Sequence, residues 1–192
     1  PAEYYSHPRL QSYLNQFSKI YTCYESFRNN EIYTLPFLPW MINANHGDSI
    51  TAKHDRDYNY FSNLTNFNKS KTISVFCSNR AATETHRQRI RFVKSLKKHF
   101  KDRLEWFGNG VNPLAQKWDG IAPYKYHIAL ENHSSNNVIT EKLYDAFLGL
   151  SYPIYYGAPN VSKYFSSKSM TSIDIKDLKS SVNIIEKLIE SK

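Results

Sequence analysis

The chain has 192 residues, of which 41% are hydrophobic and 22% charged, the balance of a globular protein with a core of its own rather than a collagen-like, low-complexity or disordered chain. Its longest apolar stretch, Leu35 to Ile42, is interrupted by Pro36 and Pro39 and falls far short of the ~20 residues that a membrane-spanning helix needs. Lys and Arg number 25 against 17 Asp and Glu, and the net charge of +8 favours anionic partners without choosing among nucleic acid, an acidic membrane face and a phosphorylated small molecule.

In chain order, residues 1–50 are rich in Tyr, Phe and Asn and read as irregular, with short candidate elements at Lys19 to Thr22 and Ile32 to Leu38. Asn43 to Ser70 is polar and reads as a linker or long loop. The pattern then sharpens. Thr72 to Ser78 is a β-branched and aromatic strand, followed by a helix over Thr83 to Phe100, in which Ile90, Val93, Leu96 and Phe100 recur at helical spacing. Leu104 to Gly108 predicts a strand, Tyr126 to Leu130 another, Thr140 to Leu150 a helix and Pro153 to Tyr156 a further strand closed by Gly157 and Pro159. Thr171 to Ile175 reads as extended and Asp177 to Glu190 as helical. Strand alternating with helix predicts an α/β fold, a Rossmann-like parallel sheet with helices on both faces.

In such a sheet ligands lie beyond the carboxyl ends of the strands, which directs attention to two strand-to-helix loops. Ser78 to Arg91 brings Arg80, Arg87, Arg89, Arg91 and His86 to a helix start, where outward-pointing amides and guanidinium groups suit a phosphate; the same residues also read as a solvated basic helix face. The second loop, Glu131 to Lys142, places Thr140 as a helix cap with Glu141 and Lys142 in the first turn. A lysine there opposes the macrodipole unless an anion sits nearby, although a lone surface lysine screened by solvent fits too.

Tyr124 and Lys125, Leu130-Glu131-Asn132, Thr140-Glu141-Lys142 and Pro153 to Pro159 stand in one order and resemble the donor-binding signature of glycosyltransferase family 10, the α1,3/4-fucosyltransferases. The resemblance is good over Lys71 to about Asp177. It implies a GT-B fold divided into 1–45 as the end of an acceptor-side domain, 46–70 as a linker or loop, and 71–192 as the nucleotide-sugar domain. It further implies inverting transfer of L-fucose from GDP-fucose to an N-acetylglucosamine-containing glycan, with no metal or other cofactor required. Residue by residue, Arg89 resembles the arginine on the donor diphosphate, with Arg87 as the fallback register, and Lys142 the second cation. Glu141 resembles the catalytic carboxylate beside the sugar, and Asn132 and Glu131 fall among the donor-binding residues. One departure is Val138, at a position often Tyr in the family. The family's general base lies in the upstream half and matches no acid here, Glu25, Glu31, Asp48 and Asp55 being weak candidates. Another nucleotide sugar on the same fold is the alternative donor.

Other signals weigh less. Asp55-Arg56-Asp57 has the spacing of a manganese-binding pair but falls in the polar stretch. The histidines are dispersed, Cys23 and Cys77 read as reduced thiols, and the sequons at Asn63, Asn68, Asn132 and Asn160 are expected by chance among 17 asparagines. Aromatics interleaved with basic residues also suit a single-stranded nucleic acid module, the reading of a different class, but a nucleotide-sugar enzyme accounts for both features and no nucleic acid partner is expected. The first residue is Pro1 and no signal-peptide pattern follows, so the expectation is the downstream part of a longer bacterial cytoplasmic enzyme, resting on the inner membrane through its positive charge, with a Golgi lumenal setting as the alternative.

Overall fold

The β-branched and aromatic runs downstream of residue 70 form one five-stranded parallel sheet in this computed structural model, which describes residues 8–24, 28–36, 40–43 and 56–191. Upstream lie α1 (Pro8–Leu14), β1 (Ile20–Thr22), β2 (Glu31–Tyr33) and α2 (Tyr58–Asn63), with β1 and β2 pairing in parallel as a small separate sheet. The main sheet comprises β3 (Lys71–Phe76), β4 (Leu104–Phe107), β5 (Tyr124–Leu130), β6 (Tyr152–Tyr156) and β7 (Thr171–Ser172), in the order β4-β3-β5-β6-β7. Helix α3 (Glu84–Phe100) connects β3 to β4, α4 (Glu141–Leu148) connects β5 to β6, and α5 (Leu178–Glu190) follows β7.

Period-two alternation assigns the two faces. Ile73 and Val75 of β3, Ile128 and Leu130 of β5, and Ile154 and Tyr156 of β6 pack in one cluster with Phe92, Val93, Leu96 and Phe100 of α3 and Ile185 of α5. Each fully buried aliphatic or aromatic side chain there is worth about 1.5–3 kcal/mol. On the opposite face Ala129, Ile139, Leu143 and Tyr155 form a second cluster under α4, while Ile42, Trp118, Ile121 and Ala122 form a third with Trp40, Phe61, Leu64 and Phe67 packed against it. Helices therefore cover both faces, as the sequence predicts.

Two local differences have plain causes. Part of the polar stretch expected as a linker is built into the domain. Asp57 caps α2 by accepting from the Tyr60 amide at 2.9 Å, and Phe61 and Phe67 pack their rings on Trp118. Asp55 lies outside the described residues. Helix α4 stops at Leu148 rather than Leu150, because Leu150 takes a left-handed backbone (φ 53°) that turns the chain into β6.

The chain reverses its direction of growth between β3 and β5. From β3 it winds outward to β4, then returns to place β5, β6 and β7 on the other side. The crevice beyond the carboxyl ends of β3 and β5 is thus the topological switch point.

Candidate functional site

Both loops that the sequence singles out open onto this switch point. On α3 the buried residues are Arg89, Phe92, Val93, Leu96 and Phe100, so Arg89 continues the apolar stripe one turn toward the strand ends. It is 6% exposed, and its guanidinium reaches Asn132 Oδ1, just after β5, and Cys77 Sγ at 3.9 Å, just after β3. Arg87, two residues earlier, points away. Its Nε donates to Glu84 at 2.9 Å and its NH1 to the Ala81 carbonyl at 3.0 Å, both exposed, so the fallback register is not the one that lines the crevice. Arg91 is likewise exposed and paired with Glu84 at 2.6 Å.

Cys77, Ser78, Arg80, His86, Arg89 and Asn132 enclose a polar cavity of about 160 Å³ at the switch point. A larger cavity of about 270 Å³ lies beyond β6 and β7, bounded among others by Ser134, Tyr155, Tyr156 and Asp174.

Glu131 is 1% exposed. Its carboxylate accepts the Thr140 amide at 2.7 Å and the Thr140 hydroxyl at 2.6 Å, and Lys142 Nζ lies 3.7 Å away. Burial pushes its pKa up, and Lys142 and the two Thr140 bonds pull it back. The expectation that Thr140 caps α4 with its hydroxyl is corrected. Thr140 occupies the N-cap position, but its side chain turns to Glu131 instead of the helix amides, because a buried carboxylate needs donors more than the half-open helix end does.

Lys142 donates to Glu141 Oε1 at 2.9 Å and to Thr140 Oγ1 at 3.1 Å, so the anion that its position calls for is supplied by the protein's own carboxylates. For Glu141, burial pushes the carboxyl up, yet Lys142, then Lys117, and hydrogen bonds from Lys142 and Thr140 together hold it below the ordinary range. Arg89 and Lys142, from different loops, reach the side chains of consecutive residues, Asn132 and Glu131, at one end of β5. The structure therefore groups Arg89 with Asn132, and Lys142 with Glu131 and Glu141, at the end of β5, and leaves Arg87 outside both groups.

Sequence reasoning missed a second ionic centre beneath these residues. Lys117 and Asp145 pair at 2.6 Å, with their side chains 13% and 0% exposed. Asp145 lies one turn below Glu141 on α4 and also accepts the Met41 amide at 2.8 Å. The available signal was Asp145 itself, an acid on the apolar stripe between Leu143 and Ala146, which demands a buried partner. Tyr24 stacks on His133 with ring centroids 6.4 Å apart, so the upstream segment touches the loop after β5.

Among the described residues no group of three or more His, Cys, Asp or Glu is placed to hold a metal. Arg56, from the Asp-Arg-Asp run, stacks instead on Trp118 at 4.6 Å, and Asp57 is the α2 cap.

The comparisons with known proteins agree with one another. A family model described as glycosyltransferase family 10 (fucosyltransferase) C-term matches residues 66–191. An alpha-(1,3)-fucosyltransferase FucT of Helicobacter pylori is 33% identical over 76 residues, which cover 39% of this chain and 16% of that protein's length. A crystal structure of an alpha1,3-fucosyltransferase with GDP-fucose superposes with a TM-score of 0.53 at 25% identity, over 63% of this chain and 36% of that one. A second, with GDP, is similar in fold, with a TM-score of 0.63 at 18% identity over 92% of this chain and 58% of that one. The α/β reading and its GT-B type stand on this likeness.

Proposed function

This chain belongs to glycosyltransferase family 10, and from that premise we propose that it serves an inverting transfer of L-fucose from GDP-fucose to a hydroxyl of an N-acetylglucosamine-containing glycan. The observation that carries the reading is the approach of Arg89 and Lys142 to adjacent residues at the end of β5.

As the bond from the sugar's anomeric carbon to the β-phosphate oxygen breaks, the leaving diphosphate gains charge and the sugar becomes oxocarbenium-like. Arg89 and Lys142 are the cations to grip the diphosphate, doing with side chains what a bound metal does in other transferases. One such pair at about 4 Å and an effective dielectric near 20 gains roughly 4 kcal/mol before desolvation. Only the part that strengthens as charge develops accelerates the step. Glu141, held ionised by Lys142 and Lys117, is the carboxylate to face the positive carbon. Asn132 orients Arg89, and Glu131 holds the loop and Lys142 in place. The base that takes the acceptor proton is assigned to none of these residues. Glu31, in β2, accepts from the Tyr33 hydroxyl at 3.1 Å, and Glu25, Asp48 and Asp55 fall outside the described residues.

A second donor, another nucleotide sugar, is favoured by Val138, which is 5% exposed and offers no hydroxyl where the family often has Tyr. The net charge of +8 fits a bacterial cytoplasmic enzyme resting on an anionic membrane face.

Isothermal titration tests the donor reading. GDP binds the parent, and Arg89→Ala and Lys142→Ala each weaken it at least about tenfold, as loss of about 1.4 kcal/mol requires. Binding of GDP by both variants as by the parent overturns the assignment. Salt-sensitive oligonucleotide binding without GDP binding supports the nucleic acid module instead.

A further inference from the structure

His86 sits one turn before Arg89 on α3, its amide donating to the capping Thr83 hydroxyl at 3.2 Å. Its imidazole lines the same cavity as Arg80, Arg89 and Asn132. Among the described residues, two buried polar atoms of that lining have no hydrogen-bond partner, His86 Nδ1 and Arg89 Nε. Buried polar groups are nearly always paired, so two orphans one turn apart, on side chains that line one polar cavity, mark the place of a ligand rich in acceptors. Arg89 Nε, on a side chain whose residue is 6% exposed, shows that this is a built site and more than a helix start.

We propose that His86 is a further donor-binding residue, whose protonated imidazole donates from Nδ1 to a diphosphate oxygen and adds a positive side chain beside Arg89 and Arg80. This rests on the donor reading above. Among the described residues, the groups that face His86 are of one sign or neutral. Arg80 follows β3, Arg89 is on its own helix, Asn132 follows β5, and burial pushes the Cys77 thiol up so that it stays neutral. Glu84, on the same helix, is turned to Arg87 and Arg91, and among the described residues no carboxylate lines the cavity. Burial, then Arg89 and Arg80, hold the imidazole below its ordinary value of 6.5. Entry of a diphosphate reverses that balance, and His86 takes one proton from the solvent as the donor binds.

GDP-fucose is the probe, because its esterified diphosphate does not itself titrate near neutrality. Calorimetric titration of the 192-residue chain is run from about pH 5.5 to 8. The dissociation constant rises with pH by up to tenfold per unit, the limit for one linked proton. His86→Gln binds with a nearly level profile that meets the parent at high pH, and His86→Lys restores tight, level binding. NMR titration of the His86 imidazole in the parent gives a second reading that needs no variant, with its pKa raised when the ligand is bound. Parallel profiles for parent and His86→Gln, or an unmoved His86 pKa, overturn the proposal while leaving the donor reading intact. Failure of GDP-fucose to bind the parent at any pH overturns both.

Discussion

The Glu131 carboxylate closes a ring with Thr140, nine positions along the chain, taking its backbone N–H at 2.7 Å and its hydroxyl at 2.6 Å. One acid therefore sets where β5 hands over to α4, and so where Glu141 and Lys142 stand.

Replacing Glu131 with Gln puts an amide donor against one of the two Thr140 donors. Stability is expected to fall by about 2–3 kcal/mol, the cost of leaving a buried hydrogen-bonding group unsatisfied, with weaker GDP binding alongside. Urea unfolding and calorimetry read the two effects, and a variant as stable as the parent contradicts this role.

Lys117→Met strands the Asp145 carboxylate, 0% exposed, without its cation. The expected loss is about 3–5 kcal/mol, while Lys117→Met with Asp145→Leu recovers most of it, since removing both charges also removes both desolvation costs. A double-mutant cycle in urea measures the coupling; additive losses would show that the pair acts independently.

Gly157 closes β6 with no room for a side chain. An added Cβ meets the Tyr155 hydroxyl and comes to 2.5 Å from Glu131 Cγ. Gly157→Ala therefore pushes directly on the acid that holds the site. A loss of about 1–3 kcal/mol is expected from the overpacking, and GDP affinity should drop more than it does for an alanine at exposed Lys163.

His127, 2% exposed, shares Nδ1 with the Ser74 hydroxyl at 2.8 Å. Burial, then Lys117, push its pKa down from 6.5 to about 3. Between these values the unfolded chain binds the extra proton, so the contribution of His127 to stability is full above about pH 6.5 and declines as pH falls. Between pH 6.5 and 5 the loss is about 2 kcal/mol, at 1.36 kcal/mol per unit. Glu131 and Asp145, whose pKa values are raised, act in the opposite sense as they protonate. The His127 share is thus read as the difference in slope between the parent and His127→Gln; identical slopes would refute it.

The sheet was legible because its strands are buried on both faces and read as β-branched and aromatic runs, and α3 because its stripe keeps helical spacing from Phe92 to Phe100. Arg89 was legible only through the family resemblance, since the pattern alone sets the Arg and Lys residues of this helix on its other face, whereas Arg89 is buried beside Phe92 and Val93. What escaped were pairings between distant residues. Nothing local links Lys117 to Asp145 or turns Thr140 away from its cap, since both follow from the desolvation of a carboxylate whose burial only the assembled fold decides. Phe61 and Phe67 lie in the polar stretch that reads as a linker, and it is the distant Trp118 ring that gives them a surface.

The Met41 amide bonds to Asp145, a residue 104 positions farther along the chain. Residues 40–43 are thereby tied to α4 as well as to Trp118, Ile121 and Ala122, against which Ile42 packs. Closing so long a loop is entropically costly, so mutations at this contact are expected to speed unfolding more than they slow refolding, which a urea chevron measures.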